Sequence, residues 1–167
     1  MANKGLSGKI FQGDLVKQVT GGGIERAAAS STVPVVGVFN GCMYTDPTSG
    51  EQVFSNYYPG SISASDIIAF VVDDPMVVFS VQADAAFPVA DLFGNFDIVD
   101  QSTTGDTASG RSNVELDVTT GATATTLPLK ALDISQDPAN EDVASANTNV
   151  LVVIQNHIAG VKSAGLA

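Results

Sequence analysis

Apolar residues in this chain come in short runs, and Gly, Pro, Asp and Ser separate them. That spacing predicts strands and turns, not long helices. The first unit is a short strand over 14–19, a Gly21-Gly22-Gly23 turn, and a partner over 24–28. Three glycines suit a tight connection. A longer strand is expected over 33–44, with Pro34 near its start and Gly37 and Gly41 marking bends or bulges. Thr45 to Gly50 carries strong turn chemistry, so 51–58 should return as a hairpin that Pro59-Gly60 ends. Two nearly continuous apolar runs, 67–72 and 76–81, flank Asp73-Asp74-Pro75 and read as a hairpin covered on both faces. A short helical turn near 88–93 is closed by Gly94.

Phe96 to Val99 and Val114 to Val118 read as a third hairpin, with a mobile Ser/Thr/Gly loop between Gln101 and Asn113. Residues 119–126 read as a low-complexity bridge, 127–135 as another strand, and Asp137-Pro138 as the start of a helical turn. Val150 to Ile154 is the last core strand, and the tail from Ala159 should fray. The expected architecture is all-β: a compact antiparallel barrel or β-tulip-like sandwich of about ten short strands. No 34- or 40-residue repeat suggests a solenoid or propeller.

The 167 residues fit one domain with an extra arm, here divided as arm 1–12 and β-domain 13–167. Val, Thr, Ala, Ser, Asp and Gly dominate, and Trp is absent, which favours sheets. The net charge of −11 argues against binding nucleic acid or an anionic membrane. Residues 1–30 hold four basic side chains against two acids, while the remainder holds three against sixteen. A mildly basic segment on an acidic body fits an attachment arm, with Lys4, Lys9 and Phe11 as its contacts. The N-terminus reads as lacking a signal peptide, and no apolar stretch approaches the roughly 20 residues that span a bilayer, so synthesis in a cytoplasm is expected.

Candidate chemistry is sparse. Cys42 is the one cysteine, and residues 35–58 hold no Lys, Arg or His to activate it, so a buried apolar role is expected. Asp46, Asp73 and Asp74 sit in Asp-Pro loops and read as turn residues, with a weak Ca²⁺ site as the other reading. His157, the one histidine, reads as a strand-end hydrogen-bonding residue. No Gly-x-Ser-x-Gly elbow, phosphate loop or zinc-ligand set is present in the sequence. The expectation is a non-enzyme without catalytic, metal or cofactor residues. Phe54 and Tyr58 share strand parity and Tyr57 opposes them, so one side is core and the other a contact patch. Tyr44 and Tyr57 are the candidate contacts there.

The Gly13-Asp14-Leu15-Val16, Gly23-Ile24-Glu25-Arg26-Ala27 and Val36-Gly37-Val38-Phe39 stretches resemble the N-terminal part of tailed-phage capsid decoration (cement) proteins. Gly37 to Asp46, the Asp73-Asp74-Pro75 segment and Asn149 to Ile154 continue the likeness in scattered patches. The resemblance implies a body on the outer capsid surface, a homotrimer, and the major capsid protein as partner. It implies no catalytic residues. Two other readings stay open: another virion component, such as a tail or fibre-base protein, and a small β-fold hydrolase using Asp and His157.

Overall fold

The structure is a computed structural model and describes residues 6–140, 144–160 and 165. It is all-β and antiparallel. Among the described residues, ten strands form two five-stranded sheets. The chain divides into two compact units. The first holds the described residues up to Ala27, then Val35–Asp73 and Ser102–Val114; the second holds Ala28–Pro34, Asp74–Gln101 and the described residues from Glu115.

In the first unit, β1 (Leu15–Gln18) pairs with β2 (Ile24–Arg26) through the glycine turn, and also with β3 (Val35–Thr45). On β3 also lie β4 (Gln52–Ser55), its hairpin partner, and β5 (Ile68–Val72). The buried set includes Ile10, Val16, Ile24, Phe39, Cys42, Tyr44, Tyr58 and Ala69. Along β3 the inward side chains are Val35 and Phe39, then Cys42 and Tyr44. The alternation slips by one where the register against β5 shifts between Phe39 and Gly41. That shift is a bulge, and Gly41 takes it up at φ +124°. Gly37 is needed for close approach: a Cβ there would collide with the Val72 carbonyl oxygen.

Residues 6–12, read from sequence as part of an arm, lie in the first unit. Ile10 and Tyr58 exchange two backbone hydrogen bonds, 3.1 and 2.7 Å. The Gln12 N–H donates to the Gly110 carbonyl, and the Ser112 N–H to the Gln12 carbonyl, both at 2.9 Å. Phe11 is 2% exposed and stacks on Tyr57 at 5.4 Å. Asp14 holds this corner. It is fully buried, accepts from the Phe11 N–H at 2.8 Å, and takes the Ser112 hydroxyl on its other oxygen.

The second unit carries β6 (Phe79–Gln82), β9 (Leu129–Ile134) and β10 (Asn149–Ile154), with β10 between the other two. β7 (Asn95–Asp106) and β8 (Arg111–Ala122) complete that sheet, and both run on into residues of the first unit. Val150, Val152 and Ile154 alternate inward along β10, and Phe87 packs on Phe96 at 5.3 Å. Short 3₁₀ turns occur at Val89–Asp91 and Pro138–Asn140, as the Pro and Asp signals predict. No helix among the described residues is long and apolar enough to cross a membrane.

Two expectations are corrected. The apolar runs at 67–72 and 76–81 do not pair: β5 joins β3 in one sheet and β6 joins β10 in the other. Asp74 does make the expected turn, accepting from the Met76 N–H at 2.8 Å, but the chain leaves one unit there and enters the other. The segment between Gln101 and Asn113 is mostly strand, closed by a short turn over 107–110. Asp106 nucleates that turn by accepting from the Ala108 and Ser109 N–H groups, 2.9 and 3.2 Å. Its exposed carboxyl is held below the usual range by the Ala108 backbone bond first and then by Ser109.

Candidate protein-contact surface

The bulge in β3 decides what the first unit shows to solvent. Past Gly41, Cys42 and Tyr44 turn inward and Met43 turns outward. Met43 is in register with Phe54 on β4 and with Ile68 on β5. Phe54 is 69% exposed and Phe70, on β5, 41% exposed. Their rings lie 6.5 Å apart and nearly parallel, at 9°. Exposed aromatic side chains of this kind are enriched at protein interfaces.

Next to Phe70 is a groove of about 290 Å³, lined by Gly22, Ile24, Val36, Ala69, Phe70, Val71 and Asp73. Six of these seven present apolar or bare backbone surface, and Asp73 supplies one carboxylate. The second unit has a shallower hollow of about 430 Å³ beside Val89, Leu92, Asp133, Gln136, Asp137 and Asn140.

The residues singled out from sequence fall elsewhere. Lys4 lies outside the described residues. Lys9 is exposed and Tyr57 half-buried under the Phe11 ring. Phe11 is core, and Tyr44 is only 8% exposed. Burial, and then the neighbouring Cys42 and Asp46, push the Tyr44 phenol up. Phe54 and Tyr58 were expected on one side, yet Phe54 is outside and Tyr58 buried. β4 ends at Ser55, and a bend over Asn56 and Tyr57 resets the alternation. The Ser55 hydroxyl fixes that bend by donating to the Tyr57 carbonyl at 2.6 Å.

The polar groups are engaged in holding backbone. Cys42 is buried and donates to the Tyr57 carbonyl at 3.6 Å; burial pushes its thiol up to about 11, so it stays protonated at neutral pH. Asp46 accepts from the Thr48 N–H at 2.7 Å, an Asx turn. Asp97 accepts from the N–H groups of Ser30 and Ile98 at 2.6 and 2.8 Å. His157 is buried just past β10, and its Nδ1 accepts from the Ala159 N–H at 3.0 Å. That bond leaves the hydrogen of the neutral ring on Nε2, which has no partner among the described residues. Asn156 beside it donates to the carbonyls of Thr32 and Thr126, 3.2 and 3.0 Å. Among the described residues, no three His, Cys, Asp or Glu side chains gather closely enough to share a metal ion.

Compared with known protein families, curated proteins and solved structures, the chain shows no match.

Proposed function

We propose that this chain is a structural protein that decorates the outer surface of a tailed-phage capsid, binding through the apolar outer face of its first unit. The carrying observation is the exposed Phe54–Phe70 stack. It is a ready contact surface on a β-body whose buried carboxylates, thiol and imidazole support backbone. The sequence resemblance supplies the particular setting: the major capsid protein as partner and a homotrimer as the assembled state. Repetition on a symmetric shell would let a modest contact suffice, because linked copies gain effective concentration. A net charge of −11 suits the outside of a shell better than the side facing packaged DNA.

The test is co-purification with phage heads, followed by a Phe54→Ser/Phe70→Ser double variant. Both side chains are exposed, so the variant should fold, and it should lose particle binding. Absence of the protein from heads, with presence in isolated tails, would move the reading to a tail or fibre-base component. A hydrolytic activity abolished by His157→Ala would refute the structural role outright.

A further inference from the structure

The groove beside Phe70 has an unusual border. Successive strand residues point to opposite faces of a sheet. Ala69 and Val71 face inward on β5, while Phe70 faces out, yet all three line the same cavity. A cavity that runs along a strand's edge touches residues of both faces in this way. β5 pairs with β3 on one side alone. In an antiparallel pair, alternate residues turn their N–H and C=O away from the partner. Those outward groups of Ile68–Val72 meet no other backbone partner among the described residues. Across the groove stands Ile24, of β2, with Val36 also in the wall.

We infer that this edge receives an extended segment of a partner protein, added as a strand along β5, with an apolar side chain in the groove and a Lys or Arg beside Asp73. Main-chain hydrogen bonds would give the segment its hold, and the groove would select alternate side chains. The basic residue follows from charge: Asp73 is exposed at the end of β5, on a chain of net charge −11. Phe70 borders the groove and also stacks on Phe54, so such a segment would lie against the aromatic pair. This inference rests on the reading of the chain as a binding protein and names the chemistry of what it binds.

The experiment uses the full chain without particles. It is titrated, by amide NMR, with a blocked peptide of sequence Val-Thr-Val-Thr-Val-Lys and with the same peptide ending in Glu. The expected result is shifts centred on Ile68–Val72, slower hydrogen exchange at the outward β5 amides, and about threefold weaker binding of the Glu peptide, the worth of one exposed ion pair. Asp73→Asn, an exposed change, should erase that difference. A peptide with Pro at its centre should fail, since it lacks the N–H that a ladder needs. Equal binding of the Pro peptide, equal binding of the Lys and Glu peptides, or shifts elsewhere would overturn the inference. So would β5 shifts that depend on protein concentration without peptide, which indicate a second copy. Peptide binding seen only after removal of residues 1–5 would assign the groove to the chain's own terminus and overturn it too. Failure of the decoration role would show separately, as absence from heads with peptide binding intact.

Discussion

Replacing Phe11 with Ala tests whether the segment before Gly13 is body or arm. Phe11 is 2% exposed, stacks at 11° on Tyr57, and lies so close to Gly105 that a Cβ there would strike its ring. Truncating a fully buried Phe costs about 3–5 kcal/mol, and about 1 kcal/mol of that belongs to the aromatic pair. The loss should fall at the upper end, because Gly105 has no side chain to close the void. The chain offers a selective probe: it has three tyrosines and no tryptophan, and Tyr44, Tyr57 and Tyr58 all belong to the first unit. Tyrosine fluorescence in a urea series therefore follows that unit. The Phe11→Ala midpoint should drop sharply, with Phe11→Leu in between. A loss under about 1 kcal/mol would refute the reasoning, since an arm that orders only on binding contributes nothing to the isolated fold.

Cys42 should react with a thiol reagent at pH 8 only as fast as the chain unfolds, because burial holds the thiol near 11; fast labelling without denaturant would contradict this. Phe79 is only partly buried, so Phe79→Ala should cost about 1–2 kcal/mol by circular dichroism, well below a full core truncation; a loss above about 4 kcal/mol would place it in the core. Asp66 accepts from the Thr45 hydroxyl and N–H, at 2.6 and 3.2 Å, and these bonds, the hydroxyl first, lower its carboxyl below the usual value. A depressed carboxylate stabilises above the unfolded-state pKa and loses that effect as pH falls through the folded value. Asp66→Asn should thus lower Tm slightly at pH 7 and leave it unchanged in strong acid; a difference that grew in acid would reverse the sign.

The local elements were legible because each had a local cause. Gly21-Gly22-Gly23 and Thr45 to Gly50 define two hairpins, and the structure has them as β1–β2 and β3–β4. Cys42 is buried, as the lack of nearby bases suggested. What sequence did not show was which strands meet. The run Ile67 to Val72 is compatible with any buried partner, so its place beside β3 had no local signal. Low hydrophobicity made 101–113 look like a loop, yet the turn chemistry is confined to Asp106–Gly110 and the strands zip up to it. The Phe54–Phe70 pair was hidden for the same reason. Phe70 sits inside an apolar run without alternation, and only pairing with β3 turns it outward opposite Ala69. Asp14, read as one letter of a motif, proved to be the buried acceptor that pins the Phe11 corner.

Gly41 ties these threads together, and its replacement gives a decisive measurement. Without a bulge, strict alternation from Phe39 would bury Met43 and expose Cys42 and Tyr44. With the bulge, Tyr44 is core and Met43 joins Phe54 on the outer face. The bulge needs φ +124° at Gly41, and a Cβ there would sit 2.9 Å from the Ser55 carbonyl oxygen. Gly41→Ala has two responses open to it. Either the bulge persists under strain, at a cost of about 1–3 kcal/mol with Cys42 still protected. Or the strand slips by one residue, which turns every side chain beyond it to the other face and makes Cys42 reactive in the folded chain. Tyrosine-monitored denaturation and thiol labelling on the same sample separate the two. An unchanged midpoint together with an unreactive Cys42 would show that Gly41 does not set the parity, and the origin of the outward aromatic face would have to be sought in the β4 and β5 pairings alone.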